Sequence, residues 1–305
     1  MIDLSPEIVT IIMLGGVLVG VLAGYPLAIP VGALALIMGF LLFGTGVFSL
    51  LYARLYSLIH SYVLLAIPLF VFMGAMLERS GIAERMYAAL YLWLSGFRGG
   101  LAIITVVMGT VLAACVGIIG ASVTMLSLLA LPSMLKRGYS KSLASGSVCA
   151  GGTLGILIPP SIMLVIYGPM AGISVGKLFM AAFIPGLVLS GLYVTYIATR
   201  CFFQPKIAPA VPVEERAVPF LKKTAMLLTS LVPPALLIMA VLGSIFLGIA
   251  PPTEAAAVGA FAATILTIAY RRFNFEVLNF PITKLLPKCF LFCFQLTSFH
   301  FLLIG

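Results

Sequence analysis

Two segments of this chain gather glycines and hydroxyl side chains inside long apolar stretches, and the longer one also contains paired prolines. The longer one, residues 151–161, reads Gly-Gly-Thr-Leu-Gly-Ile-Leu-Ile-Pro-Pro-Ser. Prolines lack a backbone N–H and glycines destabilise a helix, so we predict that a helix unwinds here. In hydrocarbon the freed carbonyls and amides cost several kcal/mol each unless protein, water, ion or solute satisfies them. The segment therefore predicts an ion or solute site at mid-membrane.

The shorter segment, residues 117–122, lies within the apolar stretch 101–135. A straight helix of that length would be about 50 Å long, whereas the hydrocarbon core is about 30 Å thick. The stretch must therefore break, and its glycines make residues 117–122 the predicted place. Two plainer interpretations stay open. Small residues could serve close helix packing in the shorter segment, and the prolines could merely kink a helix in the longer one.

The overall composition is that of a polytopic membrane protein. Of the 305 residues, 63% are hydrophobic and 8% are charged, whereas about a quarter of the residues of a soluble domain are charged. At roughly 20 residues per spanning helix, the chain could hold about eight to ten helical segments, so we predict an all-α fold. The net charge of +9 comes from Lys and Arg between apolar stretches, without interleaved aromatic residues, which speaks against nucleic-acid binding.

Polar interruptions organise the rest of the chain. The dipeptide Ile67-Pro68 lies near the centre of the short apolar stretch 60–77, which predicts a re-entrant helical hairpin or a kinked span. Residues 81–100 are amphipathic and are predicted to lie at the membrane interface. The basic loops around residues 136–141, 200–223 and 271–272 fall on one side of the predicted spans, which the positive-inside rule makes cytoplasmic.

Residues 273–305 differ in character from what precedes them. They hold eight of the 21 phenylalanines and one glycine, the terminal Gly305. Two interpretations stay open: an aromatic helix, or sequence read out of frame before a premature stop.

Several short motifs lie between residue 1 and about residue 272. The main ones are Gly117-Ile118-Ile119-Gly120-Ala121-Ser122-Val123-Thr124, Leu131-Pro132, Lys136-Arg137-Gly138-Tyr139, the run 151–161, Ser174-Val175-Gly176-Lys177-Leu178-Phe179 and Ile184-Pro185-Gly186. Supporting ones are Leu65-Ala66-Ile67-Pro68-Leu69-Phe70, Arg79-Ser80-Gly81-Ile82-Ala83-Glu84-Arg85 and Pro252-Thr253-Glu254-Ala255-Ala256-Ala257. With these motifs the chain resembles the large membrane subunit of tripartite ATP-independent periplasmic (TRAP) transporters, the dicarboxylate-transporter M-subunit family.

The resemblance implies a multi-pass secondary transporter of the bacterial inner membrane, and not an enzyme. A sodium gradient would drive uptake of an organic acid of the C4-dicarboxylate kind, with sodium as coupling ion and no other cofactor. A periplasmic solute-binding protein would deliver the acid, and a small membrane subunit would complete the complex.

The resemblance also implies two inverted repeats, each with a hairpin and an interrupted helix. On that pattern residues 1–200 form the first repeat, 201–223 a cytoplasmic linker, 224–272 the start of the second repeat, and 273–305 an atypical C-terminal segment. Ion and substrate would bind at the breaks, to which the resemblance assigns Gly117, Gly120, Ser122, Gly152, Thr153, Pro159 and Ser161. Half-helix N-termini facing a break would suit an anion.

Two features depart from the family pattern. Many members have a serine-rich first break, whereas Ile118 and Ile119 occupy it here and leave Ser122 and Thr124 as the nearby hydroxyls. Family members are also longer, which makes a non-transporting truncated remnant one alternative. An intramembrane enzyme is another, but the chain has no His-Glu-x-x-His and no paired intramembrane aspartates.

Overall fold

A computed structural model of the chain describes residues 5–117, 119–210, 219–281 and Thr283. Over those residues the secondary structure is entirely helical, with thirteen α-helices and two short 3-10 helices. The chain divides into two compact units, of which the first comprises the N-terminal helices up to Leu64 and the second runs from Leu65 to Ile282.

The first unit contains α1 (Pro6–Leu22), α2 (Ala28–Phe43) and α3 (Gly46–Ile59). The contact between α1 and α2 depends on glycine, because a Cβ added at Gly20 would run into the ring of Pro30. Between α2 and α3, Val47 packs against Ala35, with Leu51 beside them. Most other large apolar side chains of these helices are exposed, as expected of helices that face lipid.

The second unit holds the remaining helices, and the two predicted breaks lie in it. Its α-helices are α4 (Ala66–Arg79), α5 (Ile82–Leu94), α6 (Gly100–Val116), α7 (Ile119–Lys136), α8 (Lys141–Leu157), α9 (Ile162–Ala171), α10 (Val175–Phe203), α11 (Phe220–Phe246), α12 (Pro252–Ala269) and α13 (Phe275–Phe280). The 3-10 helices are Tyr62–Leu65, at the boundary of the two units, and Pro205–Ile207.

The core of this unit is built around α6. Its neighbours are α4, α5, α7, α8, α10 and α11, and its residues Leu101, Ile104 and Met108 are completely buried. A helix that is apolar on every face is stable only when other helices or lipid surround it. In this fold α6 is therefore the central helix, and α8 packs along it.

Six helical segments are long and apolar enough to cross a membrane, counted over the described residues: Tyr62–Arg79, Ile119–Lys136, Lys141–Ala171, Val175–Phe203, Phe220–Phe246 and Pro252–Ala269. Together with the absence of strands from the described part of the chain, they confirm the predicted all-α polytopic class. The predicted division into repeats stays a prediction, because the compact units reflect packing and not internal symmetry.

The prediction that a hairpin turns at Ile67-Pro68 is wrong. Pro68 is the third residue of α4, where a proline removes no intrahelical hydrogen bond and is tolerated. The chain turns instead at Ser80-Gly81, where Gly81 has a φ of +74° and Ser80 Oγ accepts a hydrogen bond from the Ile82 N–H. The two helices that this turn connects are therefore α4 and α5.

One end of the second unit gathers the basic loops. The Gly99 N–H donates to the Ala208 carbonyl at 3.3 Å, and the Ser140 N–H donates to the Ile207 carbonyl at 2.9 Å. These two bonds join the α5–α6 loop, the α7–α8 loop and the segment after α10. The basic residues at that end are Arg98, Lys136, Arg137, Lys141, Arg200 and Lys206. The loop 136–141 and the described start of the loop 200–223 thus lie at the same end of the unit. That this end is cytoplasmic stays a prediction of the positive-inside rule.

Candidate ion and solute site

The first break is shorter than the sequence predicts. Helix α6 ends at Val116, and Gly117 adopts a left-handed conformation (φ +63°, ψ 8°) with its N–H donating to the Ala113 carbonyl. Helix α7 begins at Ile119, so Gly120 and Ser122 are helical and do not lie in the break. A single left-handed glycine is enough to end one helix and let the next begin in a new direction.

The second break is also narrower than the predicted residues 151–161. Helix α8 runs through Gly151 and Gly152 to Leu157, and only residues 158–161 leave the helical conformation before α9 begins at Ile162. The break therefore coincides with Pro159 and Pro160, which lack the N–H groups that would continue the helix. The prediction that the glycines unwind is wrong.

Packing explains why the glycines of α8 stay helical. A Cβ on Gly109 of α6 would lie 2.5 Å from the Gly151 carbonyl oxygen, so the two backbones are in direct contact. On the other side, a Cβ on Gly152 would collide with the Val123 side chain and lie 3.0 Å from the Val123 Cα of α7. Small residues let helices approach closely in membranes, and this close packing outweighs the low helix propensity of glycine. Close packing, which the sequence suggested for residues 117–122, is thus the role of Gly151 and Gly152 in the longer segment.

The two breaks touch each other. A Cβ on Gly117 would lie 2.9 Å from the Pro160 carbonyl oxygen and 3.6 Å from the backbone nitrogen of Ile162. Only glycine provides both this space and the left-handed conformation. Gly117 and the Pro159–Pro160 break, 42 residues apart in sequence, therefore form one irregular region inside the helical core.

Two of the predicted site residues have buried, unpartnered hydroxyls. Ser122 and Ser161 are each 0% exposed, and neither Oγ has a hydrogen-bond partner among the described residues. Ser161 is the residue before α9, and its side chain does not cap that helix. By contrast the buried Ser147 of α8 donates to the Ala144 carbonyl at 2.9 Å. A buried hydroxyl left without a partner costs about 1–3 kcal/mol, so two of them beside the breaks are unusual.

The other predicted residues are arranged differently. Pro159 is buried inside the second break. Thr153 is exposed on α8, and its hydroxyl donates to the Ala150 carbonyl at 2.9 Å. Gly120 is exposed at the start of α7 with no neighbouring atom within 4 Å of an added Cβ. Thr124 donates to the Gly120 carbonyl at 2.7 Å. The structure thus brings Gly117, Pro159 and Ser161 together and leaves Gly120 and Thr153 on the surface of the unit.

The electrostatics of the region follow from its helix ends. Helices α6 and α8 end at the breaks with carbonyl groups, and α7 and α9 begin there with N–H groups. Carbonyl ends carry partial negative charge and N–H ends partial positive charge, so the same region can attract a cation and an anion. A hard cation such as sodium requires oxygen ligands; the Pro160 carbonyl, which receives no backbone hydrogen bond from the described residues, and the two free hydroxyls are oxygens of that kind.

Two contributions to the region come from residues that were not among the predicted site residues. Pro160 contributes its carbonyl, and Gly186 of α10 lets that helix approach the break, since a Cβ there would lie 2.9 Å from the Ile158 side chain. Pro185-Gly186 inside a 29-residue helix was the available signal. The contact partner itself depends on how α10 crosses α8.

The fold and the two touching breaks define a class, the all-α polytopic membrane protein with interrupted helices. The family model for the tripartite ATP-independent periplasmic transporter, DctM component, matches residues 14–284. The chain belongs to this family of TRAP transporter large permease subunits, which are not enzymes.

Several curated relatives support the assignment. The chain is 40% identical over 214 residues to the C4-dicarboxylate TRAP transporter large permease protein of Vibrio cholerae, which covers 69% of this chain and 45% of the relative. It is 31% identical over 274 residues to the corresponding protein of Rhodobacter capsulatus, covering 85% and 60%. It is also 31% identical over 258 residues to the ectoine TRAP transporter large permease protein of Halomonas elongata, covering 84% and 59%. The chain thus spans about half to three-fifths of the length of these relatives.

Proposed function

We propose that this chain is part of a TRAP permease of the bacterial inner membrane that uses a sodium gradient to take up an organic acid. A periplasmic solute-binding protein would deliver the acid, and a small membrane subunit would complete the complex. The named relatives include C4-dicarboxylate and ectoine permeases. The net positive charge of the cytoplasmic loops fits insertion in the inner membrane.

One observation supports the proposal most directly, the contact of Gly117 with the Pro160 carbonyl in the second break. Four helix ends meet there, and two buried hydroxyls without partners among the described residues lie nearby in sequence, Ser161 inside the second break and Ser122 in the first turn of α7. These groups offer oxygen ligands to a sodium ion and N–H groups to a carboxylate. Binding of both ligands in one region would couple them, because each reduces the electrostatic cost of the other. The carboxylate class rests on the relatives and on the helix N-termini, and a C4-dicarboxylate is the specific proposal.

The test is uptake into proteoliposomes that contain the full permease complex, with the binding protein and radiolabelled succinate outside. We expect uptake when sodium is imposed outside, and loss of uptake when potassium replaces sodium or the binding protein is left out. An ATP-depleted preparation should transport equally well as long as the sodium gradient is held. Succinate uptake that continues unchanged without sodium and without the binding protein would contradict the proposal.

A further inference from the structure

Besides the breaks, the second unit has a cluster of cationic side chains where α4 meets α5 and where α12 ends. We define the arginine patch as Arg85 of α5 together with Arg271 and Arg272, which follow α12; all three are exposed. The Tyr270 hydroxyl, directly after α12, donates to the Thr229 carbonyl in the first half of α11, so α12 ends toward the side where α11 begins. The patch therefore lies where two apolar spans, Tyr62–Arg79 and Pro252–Ala269, leave the membrane.

Specific contacts hold the patch together. The Arg85 guanidinium lies 4.7 Å from the centre of the Tyr270 ring, and the Tyr270 hydroxyl donates to the Thr229 carbonyl of α11. The Arg272 Nε lies 3.6 Å from where a Cβ of Gly81 would be, at the start of α5. Arg271 has a left-handed backbone (φ +56°), which turns the chain there. Contacts with three helices thus hold the cationic side chains in place. The positive-inside rule requires only that basic residues lie in cytoplasmic loops, and it does not require that their positions be fixed.

The charge of the patch is only partly balanced. Glu84 brings its Oε2 to 3.8 Å from the same point beside Gly81, near the Arg272 Nε. Among the described side chains, the patch therefore combines three guanidinium groups with one nearby carboxylate. At the end of α4 the adjacent charges of Glu78 and Arg79 offset each other and leave this excess unchanged. The first turn of α5 also has N–H groups without an intrahelical acceptor, although that of Ile82 already donates to Ser80 Oγ. Guanidinium groups and helix N–H groups are the donors that bind phosphate.

We propose that the arginine patch binds the phosphate of an anionic phospholipid of the cytoplasmic leaflet. The headgroup would lie between Arg85 and Arg272 over Gly81, which has no side chain to cover the start of α5. Its acyl chains would follow the exposed apolar face of α12, on which Val258, Phe261, Ile265 and Ile268 are exposed at helical spacing. A lipid is favoured over a free phosphate because this apolar face continues directly from the patch. The proposal does not depend on the transport function.

The test uses the purified chain in neutral detergent and measures bound lipid by native mass spectrometry during titration with phosphatidylglycerol. We expect phosphatidylglycerol to bind and phosphatidylcholine not to compete. Replacing both arginines (Arg85→Gln with Arg272→Gln) should weaken binding about thirtyfold, since each basic group at an anionic surface is worth about 1 kcal/mol. The matched control, Lys222→Gln with Lys223→Gln, removes the same charge from the start of α11 and should change affinity by less than about threefold.

A second variant gives an effect of the opposite sign. Glu84→Gln removes the competing carboxylate and should strengthen phosphatidylglycerol binding by about fivefold, which a merely structural role of the turn would not do. If the double arginine variant fails to fold, the exposed Arg271→Gln should still weaken binding by about fivefold. Equal losses in the lysine control, or weaker binding in Glu84→Gln, would overturn the proposal. So would full displacement of the lipid by millimolar inorganic phosphate, which would identify the ligand as free phosphate.

Discussion

The unpartnered hydroxyls of Ser122 and Ser161 are the residue-scale feature that most needs a physical reason. Both are completely buried, and neither bonds to a described residue. If they served packing alone, alanine would fit in their place and remove an unsatisfied polar atom, so the protein would become more stable. If they bind sodium, alanine removes a ligand.

Ser122→Ala and Ser161→Ala therefore separate the two explanations. We expect each substitution to reduce sodium affinity by about tenfold to a hundredfold, because a polar contact to a charged group contributes about that much to binding. The measurement is the sodium-dependent rise in thermal unfolding temperature of the purified protein. Ser147→Ala, which removes a buried but hydrogen-bonded hydroxyl of α8, should leave the sodium response unchanged. An unaltered sodium response in both test variants would refute the ligand role.

Gly117 can be tested in the same way. In Gly117→Ala the methyl group would lie 2.9 Å from the Pro160 carbonyl oxygen, and the left-handed backbone would cost about 1–2 kcal/mol more. We expect a lower unfolding temperature and loss of sodium-dependent uptake. Gly120→Ala is the control, since no atom lies within 4 Å of its added Cβ; it should be neutral or slightly stabilising. Equal behaviour of the two variants would mean that the breaks do not touch.

At the scale of elements, the site depends on helices that are held closer together than ordinary side chains allow. Helix α8 approaches α6 through Gly109 and Gly151, and it approaches α7 through Gly152. These contacts fix where α6 and α8 end relative to each other, and so where their carbonyl ends meet. The spacing of the helices is therefore part of the site.

Gly152→Ala should disturb the site from a distance. Its methyl group would collide with Val123 and lie 3.0 Å from the Val123 Cα, so α7 must move away from α8. We expect a loss of about 1–3 kcal/mol of stability, the usual cost of overpacking, together with a weaker sodium response. Gly146→Ala in the same helix meets no atom within 4 Å and should preserve both. Thermal unfolding with and without sodium measures the two effects, and identical curves for the two variants would contradict the packing account.

At the scale of the whole molecule, the fold makes a prediction about membrane orientation. Helix α10 has 29 residues and is about 43 Å long, so Lys177 near its start lies on the opposite side from the basic loops near its end. In a variant without the native cysteines, Lys177→Cys should react with a membrane-impermeant maleimide in intact spheroplasts. Ser142→Cys, at the start of α8, should react only after the membrane is disrupted. The reverse labelling pattern would show that the basic end faces the periplasm.

Some features of this molecule could be predicted from the sequence, and others could not. The helical class, the breaks at Gly117 and at Pro159–Pro160, and the family could be predicted, because membrane composition and proline chemistry act through the chain's own residues. The hairpin position was wrong, since a proline in the first turn of α4 does not interrupt a helix. The two interpretations of residues 273–305 stay predictions, because most of that segment, residues 284–305, lies outside the described residues.

By itself, the amino-acid sequence determined that the helices must be interrupted, since proline lacks the N–H and a 35-residue apolar stretch exceeds the membrane. Only the tertiary structure decided that Gly151 and Gly152 stay helical and that Gly117 meets Pro160. Those outcomes depend on the close approach of α6, α7 and α8, and packing across distant segments is not encoded in any local pattern. The burial of Ser122 and Ser161 without partners is likewise a property of the packed helices.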